Sequence, residues 1–320
     1  MKDLGKEQNQ RKKKLSIVIP LFNETENISQ LYAQLKPVLK GLKKEYEIIF
    51  VDDGSCDDSF SVLEDLYSRD QTVRAIQFTR NFGKSAALSA GFKQTRGKIV
   101  ITMDADLQDD PREIPRFIDQ LNQGYDLISG WRFPRKDPLS KILASKLFNS
   151  LTSILTAVKV HDFNCGFKAY REKVVKDIDL YGELYRYIPV LADWKGYKIE
   201  EIKVGHRPRI HGQSKYSTGR LFRGMADLIT VMFLTKYMRR PLHLFAGIGL
   251  LFFLAGLVVN VYLAVLKLLG QGIADRPLLW LGILLMVMGI QITSTGLIGE
   301  MITRTSRRDE EGYIIKTILK

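Results

Sequence analysis

The sequence predicts an α/β protein in which a mostly parallel sheet is followed by helices at a membrane surface and by two transmembrane helices. Before residue 210, short runs rich in β-branched residues alternate with stretches of helical length and spacing. This order is typical of a parallel sheet covered on both faces. After residue 240, two long runs contain no acidic residue, lysine or arginine. The average composition, 45% hydrophobic and 26% charged over 320 residues, hides this division.

The predicted elements follow one another as strand, helix, strand. Because parallel strands need a long crossover between them, each intervening helical stretch supports parallel pairing of the strands on either side of it. The predicted strands are 15–20 (LSIVIP), 47–53 (EIIFVDD), 73–78 (VRAIQF), 98–104 (KIVITMD) and 126–130 (DLISG), and the predicted helices span 26–43, 57–68, 84–95 and 111–123.

Three of the predicted strands end in polar residues, at 23–24, 52–55 and 104–106. In such sheets a ligand binds beyond the carboxyl ends of the strands. Neither a GxGxxG nor a GxxxxGK[ST] sequence follows any strand, which disfavours a dinucleotide-binding dehydrogenase and a P-loop NTPase. The side chains of Asp104, Asp106 and Gln108 offer hard oxygen ligands. They favour a Mg²⁺ or Mn²⁺ ion whose coordination is completed by substrate phosphates.

Two uncharged runs, 242–266 and 278–299, are each long enough to cross a hydrocarbon core of about 30 Å. The alternative is a buried helical hairpin of a soluble protein. Basic residues flank the pair on its outer sides, which predicts that both termini are cytoplasmic. The flanking residues are Lys236, Arg239 and Arg240 before the first run and Arg304, Arg307 and Arg308 after the second.

The net charge of +13 also needs an explanation. No RNA- or DNA-binding module is recognisable, so we expect no nucleic acid partner. Residues 203–240 contain nine basic residues and one acid, with apolar residues at helical spacing. This pattern predicts a basic amphipathic helix on an anionic membrane surface. Packing of that helix on the soluble domain is the alternative.

Seven motifs occur in a fixed order and together resemble a known family. They are PLFNE (20–24), VDDGS (51–55), RNFGKSAALSAGF (80–92), MDADLQDDP (103–111), SGWR (129–132), NCGFK (164–168) and GQSKYS (212–217). The chain resembles family 2 glycosyltransferases of the GT-A (Rossmann-like) fold from about Leu15 to Arg308. More narrowly, it is similar to the polyisoprenyl-phosphate glycosyltransferases, which include dolichol-phosphate mannose synthases and GtrB-type bactoprenol glucosyltransferases.

The resemblance implies inverting transfer of a sugar from a nucleotide sugar to the phosphate of a polyprenyl lipid, at the cytoplasmic face of a bacterial inner membrane. The GtrB-like tail favours UDP-glucose as donor and undecaprenyl phosphate as acceptor. N-acetylglucosamine, mannose and aminoarabinose derivatives are alternatives, as is a non-catalytic membrane scaffold that binds nucleotide or lipid. A processive polysaccharide synthase is disfavoured because the chain has no QxxRW sequence.

The resemblance also assigns residues on the donor side. Asp52, by contrast, is interpreted as a turn residue, because a strand that leads into an Asp-Gly turn needs a side-chain acceptor. The implied nucleotide-binding residues are Pro20, Phe22, Glu24, Asp53, Lys84, Asp104 and Ala105, and the implied metal ligands are Asp104, Asp106 and Gln108.

On the acceptor side, Arg132 and Lys141 match the positions that bind the lipid phosphate. Many relatives carry arginine at the second position, so nearby cations could substitute for Lys141. Asp162 would face the sugar as a hydroxyl ligand or weak base, with a structural cap role as the alternative. The implied acceptor-phosphate residues are Arg132, Arg135, Lys141, Arg209 and Lys215, of which the last two match a mobile loop, and the implied catalytic residues are Asp106, Asp162, Arg132 and Lys141.

These expectations divide the chain into five parts. A basic tail (1–14) precedes a catalytic domain (15–210), a mobile loop with interface helices (211–240), a two-helix anchor (241–303) and a cytoplasmic tail (304–320). Residues 313–319 of that tail form a β-like run. Since a lone strand is not stable in water, we expect it to pair with a sheet edge of a neighbouring subunit and to give a homo-oligomer, a dimer or tetramer.

Overall fold

A computed structural model gives the fold and describes residues 15–134, 139–207, 228, 230–232, 241–270, 272 and 277–306. Within these ranges only the backbone is described at 139–144, 147, 241 and 303–306. The chain divides into two compact units, Met1–Val231 and Met232–Lys320. The first contains the sheet, and the second contains two long helices.

The described residues of the first unit form one seven-stranded sheet in the order β3-β2-β1-β4-β6-β5-β7. The pairs β1–β2, β1–β4, β2–β3 and β5–β7 are parallel, whereas β6 runs antiparallel to both β4 and β5. The predicted α/β class with a mostly parallel sheet is therefore confirmed. The strands are β1 (Leu15–Leu21), β2 (Tyr46–Asp52), β3 (Val73–Gln77), β4 (Ile99–Thr102), β5 (Leu127–Arg132), β6 (Lys168–Arg171) and β7 (Ile199–Val204).

Helices cover the sheet on both faces and connect its strands. Each of the four predicted helices is found to within a few residues, and short 3₁₀ turns at Pro111–Glu113 and Leu184–Tyr187 precede two of the helices. The helices are α1 (Thr25–Gly41), α2 (Ser59–Arg69), α3 (Lys84–Gln94), α4 (Ile114–Asn122), α5 (Leu139–Thr156), α6 (Glu172–Asp177), α7 (Ile188–Trp194), α8 (Pro241–Leu268) and α9 (Pro277–Ser306).

Strand β1 lies at the centre of the core, and all seven of its residues are buried. Its alternate residues face opposite sides of the sheet. Ile17 and Ile19 belong to the same buried cluster as Ile28 and Leu35 of α1. On the other face, a Cβ at Gly91 of α3 would collide with the side chain of Val18, so this glycine lets α3 approach the sheet closely. Burial of each large aliphatic side chain contributes about 1.5–3 kcal/mol.

The second unit is a pair of long apolar helices. The segments Leu242–Leu268 and Pro277–Ile302 have mean hydropathies of 2.4 and 1.9 and are long and apolar enough to cross a membrane. Cβ atoms at Gly249 or Gly256 of α8 would collide with the backbone of α9. These glycines therefore permit the close helix contact that small residues support in membranes.

Two predicted segments fall largely outside the part of the chain that the structure describes. In the predicted loop and interface region 211–240, only residues 228 and 230–232 are described. The predicted strand 313–319 lies beyond the last described residue. The amphipathic helix and the oligomer-forming strand therefore stay predictions.

Candidate active site

A cavity of about 430 Å³ opens at the carboxyl ends of β1, β2 and β3. It is lined by Phe22 after β1, by residues 54–56 after β2 and by residues 77–81 at and after the end of β3. Gly54 has a φ of +70°, and a Cβ there would overlap the backbone of Arg80. Only glycine fits this wall without strain. Phe22, a predicted nucleotide-binding residue, is therefore at a cavity.

The two aspartates after β2 have different surroundings. Asp52 accepts the backbone N–H of Ser55 at 3.0 Å, which is the predicted turn contact. Asp53 accepts the backbone N–H groups of Phe82 at 2.7 Å and of Gly83 at 2.9 Å. Asp53 thus holds the loop that leads into α3, beside the cavity. Its predicted contact with the base or ribose of a nucleotide stays a prediction.

Two other predicted nucleotide-binding residues are part of the scaffold around the cavity. Pro20 is buried in β1 opposite Val51 of β2. Glu24 precedes α1, its backbone N–H donates to Ser59 Oγ at 2.9 Å, and its carboxylate accepts from the side chain of Asn27. These contacts fix the path of the chain from β1 into α1. A direct contact of Pro20 or Glu24 with a nucleotide stays a prediction.

Lys84 forms an ion pair with Asp104, and its ammonium lies 5.2 Å from the ring centre of Tyr185. Burial opposes the charged form of Asp104, but the positive charges of Lys84, Arg132 and Lys168 outweigh burial and hold the pKa of this carboxyl below its usual value. Lys84 and Asp104 were both predicted on the donor side. The structure brings them together, with Lys84 at the first position of α3 and Asp104 just after the carboxyl end of β4.

Three carboxyl groups crowd the turn after β4. The side chain of Asp106 accepts the backbone N–H of Gln108 at 3.2 Å, and that of Asp109 accepts the backbone N–H of Asp104 at 3.3 Å. Burial, together with the charges of Asp104 and Asp106, raises the pKa of Asp109 to about 7. Buried Leu107 in this turn has a φ of +61°, a left-handed conformation that is costly for such a residue.

This crowding of negative charge fits a divalent cation, because hard cations prefer oxygen ligands and relieve the repulsion between carboxylates. No group of three His, Cys, Asp or Glu side chains within the described ranges is arranged to hold a metal ion. The predicted set of Asp104, Asp106 and Gln108 contains two carboxylates and one amide. Such a set needs further oxygens from substrate phosphates and water to complete a coordination shell.

Gln108 also connects this turn to the residues after β7. Its backbone carbonyl accepts the N–H of Arg207 at 3.1 Å, and its side-chain Nε2 donates to the carbonyl of Arg207 at 3.3 Å. The Arg207 guanidinium donates to Gln34 of α1 and to Asp110. Arg207 is the last described residue before the segment that contains Arg209 and Lys215. No sequence pattern indicates this double contact, because the two residues are far apart along the chain.

Arg132, at the end of β5, is held by Asp162. Nε donates to Oδ2 at 2.8 Å and Nη2 donates to Oδ1 at 3.1 Å. Asp162 is 1% exposed, and its backbone N–H donates to Glu201 of β7 at 3.0 Å. Neither predicted role for Asp162, sugar contact or helix cap, included this bidentate ion pair. The structure therefore gives Asp162 a function as the partner that orients Arg132.

The remaining predicted acceptor-phosphate residues lie outside the described structure. Arg135, Arg209 and Lys215 are not described, and Lys141 is described only by its backbone in α5. Their approach to a lipid phosphate stays a prediction. Ala105, a predicted nucleotide-binding residue, is buried between Asp104 and Asp106.

Sequence reasoning missed the importance of two residues in the NCGFK motif. Lys168 is buried in β6 and donates to the backbone carbonyls of Phe163 and Cys165. A Cβ at Gly166 would lie only 2.6 Å from the carboxylate of Asp104. A buried lysine is rare unless it is paired. Its position in a short apolar run was the available signal.

The sequence profile described as "Glycosyl transferase family 2" matches residues 16–179, and the one described as "GtrB C-terminal hairpin" matches residues 240–305. A dodecaprenyl-phosphate galacturonate synthase from Rhizobium johnstonii is 38% identical to this chain over 312 residues, which cover 95% of this chain and 92% of the relative. An undecaprenyl-phosphate 4-deoxy-4-formamido-L-arabinose transferase from Pseudomonas paraeruginosa is 39% identical over 293 residues, 91% of this chain and 85% of the relative.

Solved structures also match the fold. Glucosyl-3-phosphoglycerate synthase from Mycobacterium tuberculosis, in complex with Mn²⁺, UDP and glucosyl-3-phosphoglycerate, superposes with a TM-score of 0.54 at 19% identity. The match covers 72% of this chain and 82% of that structure. The same synthase with Mg²⁺ and UDP gives a TM-score of 0.52 at 18% identity, over 72% of this chain and 83% of that structure. At this identity the similarity shows a shared fold.

Proposed function

The chain belongs to glycosyl transferase family 2 and is a glycosyltransferase of the GT-A fold, and we propose that it transfers a sugar from a nucleotide sugar to the phosphate of a polyprenyl lipid. The names of the two relatives support this acceptor, because one is a dodecaprenyl-phosphate synthase and the other an undecaprenyl-phosphate transferase. Both are similar to this chain over nearly its whole length. The similarity extends to the two apolar helices, which match the GtrB hairpin.

One observation supports this proposal most strongly. The Lys84–Asp104 pair and the Arg132–Asp162 pair lie in one site, because Asp162 holds Arg132 and, four residues later, the backbone of Gly166 lies against the Asp104 carboxylate. The charge of Arg132 also lowers the pKa of Asp104. A donor diphosphate and an acceptor phosphate are both anionic, so a site that joins them needs cations on both sides. Asp104, Asp106 and Gln108 would hold Mg²⁺ or Mn²⁺, which when bound would neutralise the departing diphosphate.

The side chains of the site contribute to catalysis by holding the donor and the acceptor in a fixed alignment. Lys84, on the donor side, supplies a fixed positive charge next to the carboxylate that faces the diphosphate. Arg132 supplies the charge that would orient the acceptor phosphate, and Asp162 fixes the plane of its guanidinium. Preorganised charges of this kind stabilise a transition state without reorganisation.

The acceptor chemistry requires no strong general base. A phosphate monoester is already ionised near neutral pH, so one of its oxygens can attack the anomeric carbon of the sugar directly. The new bond forms between that oxygen and the carbon as the bond from the carbon to the diphosphate oxygen breaks. The nucleoside diphosphate leaves, and attack from the opposite face inverts the anomeric configuration.

The proposal includes a location. The two apolar helices would anchor the chain in a bacterial inner membrane with both termini in the cytoplasm, where nucleotide sugars are made. Cysteine labelling at residues 2 and 320 in intact and permeabilised cells tests the orientation. Labelling of either site by an impermeant reagent in intact spheroplasts would contradict it.

The identity of the sugar is the least constrained part of the proposal. Glucose from UDP-glucose stays a prediction from the sequence. The relatives are named for galacturonate and for 4-deoxy-4-formamido-L-arabinose. These names support a different sugar at least as strongly as glucose, and the alternative of an aminoarabinose derivative is therefore part of the proposal.

A donor panel tests the whole proposal. Purified protein in detergent is mixed with undecaprenyl phosphate, Mn²⁺ and one of UDP-glucose, UDP-galacturonate, UDP-4-deoxy-4-formamido-L-arabinose, UDP-N-acetylglucosamine or GDP-mannose. We expect one donor to yield a glycolipid and the reaction to stop with EDTA. The Asp106→Asn variant is the matched inactive control. If none of the donors in the panel yields a glycolipid, or if the Asp106→Asn variant turns over at the full rate, the assignment is contradicted.

The predicted homo-oligomer is tested separately. If residues 313–319 pair with a neighbouring subunit, deletion of residues 312–320 should reduce the particle mass measured by light scattering in detergent. An unchanged mass would contradict that role of the tail.

A further inference from the structure

We propose that Lys168 is a positioning residue, which fixes from inside the protein the turn that sets Arg132 relative to Asp104. The turn comprises residues 162–167 and is called the anchor turn below. This inference rests on the proposed function, because it concerns how the acceptor and donor sides of that site are held together. Lys168 itself does not contact substrate.

The surroundings of Lys168 show what its ammonium holds. The residue is 3% exposed, lies at the start of β6, and donates from Nζ to the carbonyl of Phe163 at 3.3 Å and to that of Cys165. Burial lowers the pKa of Lys168. A buried cation is unfavourable unless it is well paired. Here its hydrogen bonds go to the backbone of one short turn, which indicates that the turn is the structure it supports.

The anchor turn connects both sides of the site. At its first residue, Asp162 holds Arg132 through two hydrogen bonds. At Gly166, the backbone lies against the Asp104 carboxylate so closely that a Cβ would be 2.6 Å from it. A shift of the turn would therefore have two effects at once. It would move Arg132, and it would remove the backbone that packs against the Asp104 carboxylate.

Hydrogen bonds from the sheet reach the carbonyls at the far end of the anchor turn, whereas among the described residues those of Phe163 and Cys165 accept from Lys168. Thr102 of β4 donates from Oγ1 to the carbonyl of Gly166 at 2.8 Å, and the backbone N–H of Gly130 in β5 donates to the carbonyl of Phe167 at 2.9 Å. Lys168 binds the carbonyls of Phe163 and Cys165, between Asp162 and those contacts. Without the ammonium, these carbonyls would turn toward water or other donors, because buried carbonyls without a partner are unfavourable.

The test compares Lys168→Met and Lys168→Gln with Lys36→Met. Lys36 forms an ion pair with Asp70, which precedes the edge strand β3, far from β6 in the sheet order. Lys36→Met therefore also removes the contact of a partly buried lysine, but away from the anchor turn. Three quantities are measured on full-length protein in detergent. They are hydrogen exchange in peptides that cover residues 162–167, the Kd of UDP in MnCl₂ by calorimetry, and KM for undecaprenyl phosphate.

We expect Lys168→Met to exchange faster in the anchor turn and to raise both the Kd of UDP with Mn²⁺ and the acceptor KM by about tenfold or more. Lys168→Gln should shift the same quantities less, because its amide can still donate to one carbonyl. Lys36→Met should lower the melting temperature and leave all three quantities at their wild-type values. If Lys168→Met does not fold, the Lys168→Gln comparison decides.

Wild-type exchange in the anchor turn, or a wild-type Kd for UDP in the folded Lys168 variants, would overturn the inference. Equal shifts in Lys36→Met would also overturn it, since they would reflect general destabilisation. The exchange and calorimetry measurements need no turnover. A wild-type protein that binds UDP but transfers no sugar would refute the proposed function while these two measurements still decide the role of Lys168.

Discussion

Asp162 and Arg132 form a bidentate ion pair in which the carboxylate is almost completely buried and the guanidinium is at the edge of the site. Such a pair fixes both the position and the plane of the arginine. It also gives a reason for an acidic residue beside the arginine that we propose binds the acceptor phosphate. The carboxylate offsets part of the positive charge of Arg132, but it holds the guanidinium in one orientation before a ligand binds.

The first prediction concerns this pair. Asp162→Asn leaves one oxygen acceptor and no charge, so Arg132 should lose its fixed orientation. We expect the acceptor KM to rise and kcat/KM to fall by about tenfold to a hundredfold, with a smaller change in the KM of the donor. Steady-state kinetics with each substrate varied in turn measure this. Equal losses for donor and acceptor would contradict an orienting role specific to Arg132.

The second prediction compares two glycines with positive φ. Gly54 has its Cβ position filled by the backbone of Arg80, whereas Gly124 has nothing within 4 Å of that position. Both alanine variants should be strained by about 1–2 kcal/mol because of the left-handed backbone. Only Gly54→Ala should also displace the cavity wall, lower stability further and weaken UDP binding. Thermal unfolding and calorimetry measure the two effects, and equal behaviour of the two variants would refute this reading of the cavity.

The third prediction concerns the two cysteines. Cys165 is buried, and burial raises the pKa of its thiol to about 12, whereas Cys56 is exposed at the cavity. Because the thiolate is the reactive form, iodoacetamide at pH 8 should modify Cys56 and spare Cys165 in the native protein. UDP should slow the modification of Cys56 if the nucleotide occupies the cavity. Peptide mass spectrometry measures both, with unfolded protein as the control in which both thiols react.

The fourth prediction is a pH dependence away from the site. Burial opposes ionisation of Asp70, but hydrogen bonds from Lys36, Tyr32 and Thr72 outweigh burial and lower its pKa below the unfolded value of about 3.9. A carboxyl with a lowered folded pKa stabilises the fold above the unfolded pKa and loses that contribution as pH falls through the folded pKa. Wild type should therefore lose more stability than Asp70→Asn below about pH 4.

Urea unfolding at a series of pH values tests this difference. The two proteins should differ most near neutral pH and converge in acid. A difference that stays constant from pH 7 to pH 3 would show that Asp70 contributes through packing or neutral hydrogen bonds alone.

The sequence predicted the parts of the fold that are locally consistent. The strands from β1 to β5 and helices α1 to α4 have unbroken apolar patterns, and the structure confirms them. Strands β6 and β7 were not predicted, because β6 is four residues long with a basic residue at each end and β7 (IEEIKV) has charged residues at three of its six positions. The apolar residues around Lys168 are a signal of its burial, but a pattern of residue types does not reveal that the carbonyls three and five residues earlier accept its hydrogen bonds.

The site shows the same division. Asp104 and Asp106 were singled out because polar residues lie where a predicted strand ends, and Phe22 was singled out by the family resemblance. The structure places these residues near the carboxyl ends of β4 and β1, and their binding roles stay predictions. The partners Asp162 and Arg132 were each singled out, yet their contact was missed because it depends on how the chain returns after α5. The contact between Gln108 and Arg207 was missed for the same reason. Pairings across the sheet are set by topology, and one sequence contains little record of them.

The position of β6 has a consequence for the order in which the enzyme can be made. Strands β4 and β5, which carry Asp104 and Arg132 at or near their ends, are not neighbours and meet only through β6. A nascent chain that has emerged as far as Arg132 therefore lacks β6, the strand that joins β5 to the part of the sheet formed by β1 to β4. Synthesis must continue through residues 168–171 before these parts can join, and ribosome-bound chains that stop earlier should be unable to protect Arg132 from protease.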